Sequence, residues 1–119
     1  MRTLLLFPVA LLVLGCRHDA LDGAMPEPVC DTLDVSYVGD IVPIMQMRCA
    51  VPGCHIPGGN GTGDFTTWSG VRSQVDNGKL IPAIERTVGA IPMPPDGSMI
   101  PACDIRVIKA WVNGGAQDN

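Results

Sequence analysis

The sequence predicts an all-α fold, and three observations support this prediction. Apolar residues recur at helical spacing in several separate stretches from about residue 40 onward. We find no stretch with the alternation of apolar and polar residues that is typical of a half-buried strand. The length of 119 residues permits one small domain. We therefore expect a single domain of about four short helices.

The first residues resemble a bacterial lipoprotein signal. Arg2 precedes an apolar run that ends in Val13-Leu14-Gly15-Cys16, which has the pattern of a lipobox. The run is too short to span a bilayer, which takes about 20 residues. We expect residues 1–15 to be removed and Cys16 to carry a lipid that anchors the exported protein to a bacterial membrane, facing the periplasm or the cell exterior. The alternative is an ordinary secretory signal.

Residues 16–35 begin at the lipidated cysteine and contain Asp, Gly and Pro without a sustained period, which is typical of a flexible tether. The folded domain is then expected at residues 36–119.

The formal net charge is −4, and it becomes −5 without residues 1–15, whose one charged residue is Arg2. No cluster of Lys and Arg is present that could neutralise several phosphates, so we expect no binding of nucleic acid.

The first helix is predicted from Asp40 onward. Asp40 can cap the helix, and Pro43 fits its first turn. Four apolar residues then fall on one face at helical spacing, namely Ile41, Ile44, Met45 and Cys49.

The second helix is predicted to start at Thr66 or Thr67, either of which can cap it. It should run through Trp68, Val71 and Val75 and stop at Asn77-Gly78. A further helical stretch is expected at residues 80–88.

The segment Ile91–Gly97 has three prolines in four residues, which remove amide donors and fix an extended path. A final helix is predicted from about Ala102 to Val112, ended by Asn113-Gly114-Gly115. Its buried stripe should consist of Ile105, Ile108, Trp111 and Val112.

The most informative motif is Cys49-Ala50-Val51-Pro52-Gly53-Cys54-His55. It resembles a c-type haem attachment site, in which two cysteines form thioethers and the following histidine binds the iron. The usual spacer is two residues and here it is four, but Pro52-Gly53 can fold the extra residues into a turn. Two alternatives remain. One is a zinc-binding structural or interaction module that uses Cys49, Cys54 and His55 with either Cys30 or Cys103, and the other is a redox disulfide between Cys49 and Cys54.

A glycine-rich stretch, residues 58–63, follows this motif. It lacks the Lys-Ser/Thr ending of a phosphate-binding loop, so we expect a flexible surface loop.

A methionine is the expected sixth iron ligand, because the chain has only two histidines and His18 lies in the tether. Met93 is the best candidate, since its neighbouring prolines stiffen the loop and reduce the entropy lost on ligation. Met99 is the second candidate. Arg72, Lys79 and Arg86 could pair with haem propionates, although solvated surface charge is the more common role.

From about Cys30 to its end the chain resembles the small single-haem c-type cytochrome domains of bacterial lipoproteins. The resemblance rests on the motif at residues 49–55, on Met93-Pro94 and on the two ends of the domain. The first end consists of Cys30-Asp31-Thr32 and Val35-Ser36-Tyr37, and the last end consists of Cys103-Asp104-Ile105 and Trp111–Ala116. It implies a class I cytochrome c fold around one covalent haem, with His55 as proximal and Met93 as distal iron ligand. It also implies an electron-transfer protein rather than an enzyme, with redox proteins as partners.

The remaining cysteines, Cys30 and Cys103, are predicted to form a disulfide once Cys16, Cys49 and Cys54 have been assigned. Export from the cytoplasm is consistent with this pairing. The alternative is two separate buried thiols.

Overall fold

The computed structural model describes residues 29–119, and within this range all regular structure is helical. A π-helical turn, Tyr37–Ile41, continues directly into α1, Val42–Arg48. Three helices follow: α2 at Trp68–Asp76, α3 at Leu80–Ile84 and α4 at Ala102–Asn113. The all-α prediction is confirmed for this part of the chain.

The predicted signal peptide at residues 1–15, the lipidated Cys16 and the tether as far as residue 28 lie outside the described residues. Among the helices that are described, none has the length and apolar character needed to cross a membrane.

The first helical segment starts earlier than the sequence indicated. Ser36 caps it in place of Asp40, and the Ser36 hydroxyl accepts the amide of Gly39 at 3.1 Å. Asp40 lies in the first turn, where its carboxylate accepts the Ser36 amide at 2.8 Å. The two side chains thus satisfy amides at the helix start reciprocally, as in a capping box. Pro43 lies in the first turn of α1, as predicted.

The predicted apolar face of this segment is confirmed, since Ile41, Ile44, Met45 and Cys49 are all buried. Helix α2 also agrees with its prediction. The Thr67 hydroxyl accepts the Gly70 amide at 3.2 Å, and the helix ends at Asp76 with Asn77 as its C-cap.

Helix α3 is shorter than predicted. It ends at Ile84 rather than near Val88, because Arg86 adopts a left-handed backbone conformation with φ of 56° that an α-helix cannot contain. The proline-rich segment after it has no helix, as expected. Helix α4 agrees with its prediction. Ile108 and Trp111 are buried, and Ile105 and Val112 are partly buried and pack against the core.

The core joins the first helical segment to the last helix. The rings of Tyr37 and Trp111 lie 5.6 Å apart between their centroids. The C-terminal residues cover this contact, because the indole N–H of Trp111 donates to the Gln117 carbonyl at 2.9 Å and the Val38 amide donates to the Asn119 carbonyl at 2.9 Å. The two ends of the domain are therefore packed together.

Cys30 and Cys103 form the predicted disulfide, with their Cα atoms 5.5 Å apart. It joins the segment before the first helix to the first turn of α4. The start of the domain is thus attached covalently to its last helix.

Candidate functional site

Cys49 lies at the C-terminal end of α1, where its amide donates to the Met45 carbonyl at 2.9 Å. The chain then turns at Pro52-Gly53. The Cys54 amide donates to the Val51 carbonyl at 3.0 Å, and Gly53 has φ of 82°. Proline followed by a residue of positive φ is the pattern of a type II turn. The two extra spacer residues are accommodated in this turn.

The turn brings the two ends of the motif together. The His55 amide donates to the Cys49 carbonyl at 3.2 Å, so the backbone closes on itself across the whole segment. Cys49 is buried and Cys54 is partly buried, and both are free thiols. The alternative of a disulfide between them is therefore not the arrangement in this structure.

His55 is held by two contacts of its ring and one of its backbone. It stacks on Phe65, with ring centroids 4.2 Å apart and planes inclined by 11°. Its Nδ1 lies 3.0 Å from the carbonyl oxygen of Thr62. The Phe65 amide donates to the His55 carbonyl at 2.9 Å. In the neutral tautomer that donates from Nδ1, the lone pair is on Nε2, which is the nitrogen then able to bind a metal.

The glycine-rich residues 58–63 provide part of this arrangement. The amide of Asn60 donates to the Gly53 carbonyl at 3.0 Å, and the amide of Gly61 donates to the Cys54 carbonyl at 3.2 Å. A Cβ atom on Gly61 would lie 2.6 Å from His55 Nδ1, closer than atoms pack. The sequence suggested only a surface loop here, but the loop packs against the Cys54-His55 backbone and ring.

A cleft of about 920 Å³ lies beside the motif. Cys49, Cys54 and His55 line it, and so does Met93. Its lining is mainly apolar and includes buried Leu80, Ile84 and Ile100. The four side chains that the sequence singled out are thus brought to one cavity.

Met93 is partly buried, and its amide donates to the carbonyl of Ala83 in α3 at 3.0 Å. Met99 is 75% exposed and lies outside the cleft lining. Met45 is buried in the core. Of the two methionines proposed as ligands, Met93 is therefore the one placed at the cleft.

Two charged residues line the cleft, and both are cationic. Lys79 was proposed from the sequence, whereas Arg48 was not, and the Nε of Arg48 lies 3.3 Å from an Asp104 carboxylate oxygen. Arg72 and Arg86 do not line the cleft. Arg72 donates to the Gly115 carbonyl, and Arg86 donates to the carbonyl of Pro94, which is a lining residue.

Burial, assisted by the neighbouring Cys54, raises the pKa of Cys49 to about 11, and the nearby Arg48 opposes this only in part. Cys49 is therefore a neutral thiol at physiological pH. A reactive redox cysteine needs the opposite shift, usually from a helix N-terminus or a cation.

The disulfide also bears on the zinc alternative. That site requires Cys30 or Cys103 as its fourth ligand, and the two are bonded to each other. Within residues 29–119, no group of three or more His, Cys, Asp or Glu side chains is arranged to hold a metal ion.

We compared the chain with models of protein families, with curated proteins and with solved structures, and none of them matches significantly.

Proposed function

We propose that this protein is an electron carrier that binds one covalently attached c-type haem in the cleft. The observation that carries the proposal is that Cys49, Cys54, His55 and Met93 line the same cavity, although Met93 lies 38 residues after His55 along the chain. These are two thiols for attachment, an imidazole and a thioether.

The cavity fits such a group in size and chemistry. Its volume of about 920 Å³ is at the upper end of the range of about 300–1,000 Å³ for ligand pockets. Its buried aliphatic side chains, among them Leu80 and Ile84, suit a large apolar ring. The orientation of His55 leaves Nε2 as the ligating nitrogen, with the Thr62 carbonyl holding the other ring nitrogen.

The proposed roles follow from these positions. Cys49 and Cys54 hold the group through thioethers, His55 is the proximal ligand and Met93 the distal one. A bound haem supplies a one-electron Fe(II)/Fe(III) couple. The lining is mainly apolar, no residue is assigned a catalytic role, and the protein is proposed as a carrier rather than an enzyme.

The fold proposed to go with this role is the class I cytochrome c fold. In support, the first helical segment packs against the last helix through Tyr37 and Trp111, and the attachment motif follows the first helix directly. The contact between the first helical segment and the last helix supports the proposal without reference to the motif.

We further propose that the protein is anchored through Cys16 to a bacterial membrane, outside the cytoplasm, where redox proteins are its partners. The Cys30–Cys103 disulfide supports an oxidising location. The acidic net charge of −4 disfavours nucleic acid as a partner.

The test uses two matched double variants, expressed in a host that performs c-haem maturation. Cys49→Ser with Cys54→Ser should lose all haem that survives denaturing electrophoresis. Cys30→Ser with Cys103→Ser removes the same number of thiols and should retain the stain. Folded wild-type protein without covalent haem would refute the proposed function.

A further inference from the structure

Arg86 occupies an unusual position immediately after α3. Its backbone is in the left-handed region, with φ of 56°, which is uncommon for a residue other than glycine. This conformation ends the helix and starts the chain toward the segment that carries Met93. The side chain of Arg86 then contacts that same segment.

The Arg86 guanidinium connects two points of the loop that follows Met93. Its Nη2 donates to the carbonyl of Pro94 at 2.9 Å and to the carbonyl of Ser98 at 2.6 Å. The tip between them is closed by Asp96, whose carboxylate accepts the Ser98 amide at 2.9 Å and the Ser98 hydroxyl at 2.7 Å. Loop 94–98 is thus held at both ends by one cation.

Met93 is fixed on its other side by α3. Its amide donates to the Ala83 carbonyl at 3.0 Å. The residue therefore lies between a backbone contact to α3 and a peptide whose carbonyl is held by Arg86, with its side chain at the cleft. Displacement of the Pro94 carbonyl would move Met93 directly, because the two residues are adjacent.

The Nε atom of Arg86 is buried and has no hydrogen-bond partner among residues 29–119. Water therefore does not reach Nε. The carbonyls of the loop accept hydrogen bonds from the guanidinium, which offset the burial of the cation. The unpaired Nε is a cost of this arrangement, and the two hydrogen bonds from Nη2 to the loop oppose it.

We infer that Arg86 is a positioning residue that holds loop 94–98 in place and thereby keeps the sulfur of Met93 at the cleft. The inference rests on the proposed function for the role of the sulfur as an iron ligand. The placement of the loop by Arg86 does not depend on haem.

The chain offers a matched control. Arg72 also donates to two backbone carbonyls, those of Gly115 at 2.7 Å and Ala116 at 3.2 Å, but it lies on α2 and contacts the C-terminal residues. Arg72→Gln and Arg86→Gln therefore remove similar contacts, and only the second variant should affect Met93.

The first measurement is hydrogen exchange of the Met93 amide in the full chain, compared with amides of α4. Arg86→Gln should accelerate exchange at Met93 by at least about tenfold, the factor that corresponds to about 1.4 kcal/mol, with little change in α4. Arg72→Gln should leave the ratio of the Met93 exchange rate to the α4 exchange rates unchanged. Arg86→Lys should restore part of the protection of the Met93 amide. Equal acceleration at Met93 and in α4 would reduce Arg86 to a general stabilising residue and overturn the inference.

The second measurement uses haem-loaded protein and titration with imidazole, which competes with the sulfur for ferric iron. Arg86→Gln should lower the imidazole concentration for half-displacement by about tenfold and weaken the methionine-to-iron charge-transfer band, whereas Arg72→Gln should change neither. Unchanged imidazole binding in Arg86→Gln would contradict the inference. If no variant carries haem, the proposed function fails, and exchange at Met93 still decides whether Arg86 holds the loop.

Discussion

At the scale of single residues, His55 shows how a surrounding loop orients the imidazole that we propose as an iron ligand. Phe65 supports one face of the ring, the Thr62 carbonyl holds Nδ1, and Gly61 leaves no room for a side chain beside it. The ring cannot turn without losing the stack and the hydrogen bond. This organisation reduces the entropy lost when Nε2 binds a metal.

Substitution of Gly61 tests this arrangement. A Cβ atom at this position would lie 2.6 Å from His55 Nδ1, so Gly61→Ala should displace the ring. We expect a loss of about 1–3 kcal/mol in the free energy of unfolding, as for other overpacked sites, and a partial loss of the low-spin spectrum. Gly58→Asn is the control, because no atom lies within 4 Å of a Cβ there and Asn tolerates the positive φ of 79°. Equal effects of the two variants would argue against the close contact with His55.

The thiol of Cys49 provides a pH test in haem-free protein. Because burial raises its pKa to about 11, and because the thiolate is the form that reacts, alkylation of Cys49 by iodoacetamide at pH 8 should be slow. Its rate should rise with pH as far as about pH 11. Peptide mapping after timed quenching separates the sites, with the more exposed Cys54 as the internal reference. Faster modification of Cys49 than of Cys54 at pH 8 would show that Cys49 is an activated thiol.

At the scale of elements, apolar spacing predicted which faces are buried, but helix ends depended on side-chain contacts. Ser36 and Asp40 can both cap a helix, and the choice of Ser36 follows from the reciprocal bonds between them. The early end of α3 follows from Arg86, whose contacts to Pro94 and Ser98 are not encoded in local spacing.

At the site too, local sequence patterns predicted some residues and not others. The residues with characteristic chemistry, Cys49, Cys54 and His55, were predictable from their spacing, and Met93 from its neighbouring prolines. Phe65 and Gly61 were not, because they reach His55 through turns rather than through a repeating period. The sequence distinguishes Phe65 in one respect, since the expected domain at residues 36–119 contains no other phenylalanine.

Removal of the cap at the first helical segment should destabilise the domain. Ser36→Ala loses the hydroxyl that accepts the Gly39 amide, and the expected decrease in the free energy of unfolding is about 1 kcal/mol, measured by urea denaturation. Ser73→Ala is the control, because Ser73 is an exposed residue within α2 and alanine favours helices. A stability of Ser36→Ala equal to that of the control would show that this cap contributes nothing.

At the scale of the whole molecule, contacts between distant segments hold the two ends of the domain together. The disulfide, the Tyr37–Trp111 pair and the bonds to the C-terminal residues join the first helical segment to the last helix. A salt bridge from Glu85 to Lys109 adds a link from the end of α3 to α4. The segments that carry Cys49 and Met93 are thus supported by a common frame.

Loss of the disulfide should lower stability without removing the site. It closes a loop across a sequence separation of 73 residues, for which chain entropy gives about 4 kcal/mol. Cys30→Ala with Cys103→Ala should therefore unfold at clearly lower urea concentration while its folded form keeps the same haem spectrum. Loss of haem from folded protein would instead show that the cleft depends on this disulfide.

We propose that the cleft holds a covalent haem bound by His55 and Met93. The most direct test is the reduced-minus-oxidised absorption spectrum of mature protein made in a host with c-haem maturation, together with haem staining after denaturing electrophoresis. We predict a low-spin c-type spectrum and a stain that survives denaturation. Folded protein without bound haem would contradict the claim and leave the zinc-binding module as the function to test next.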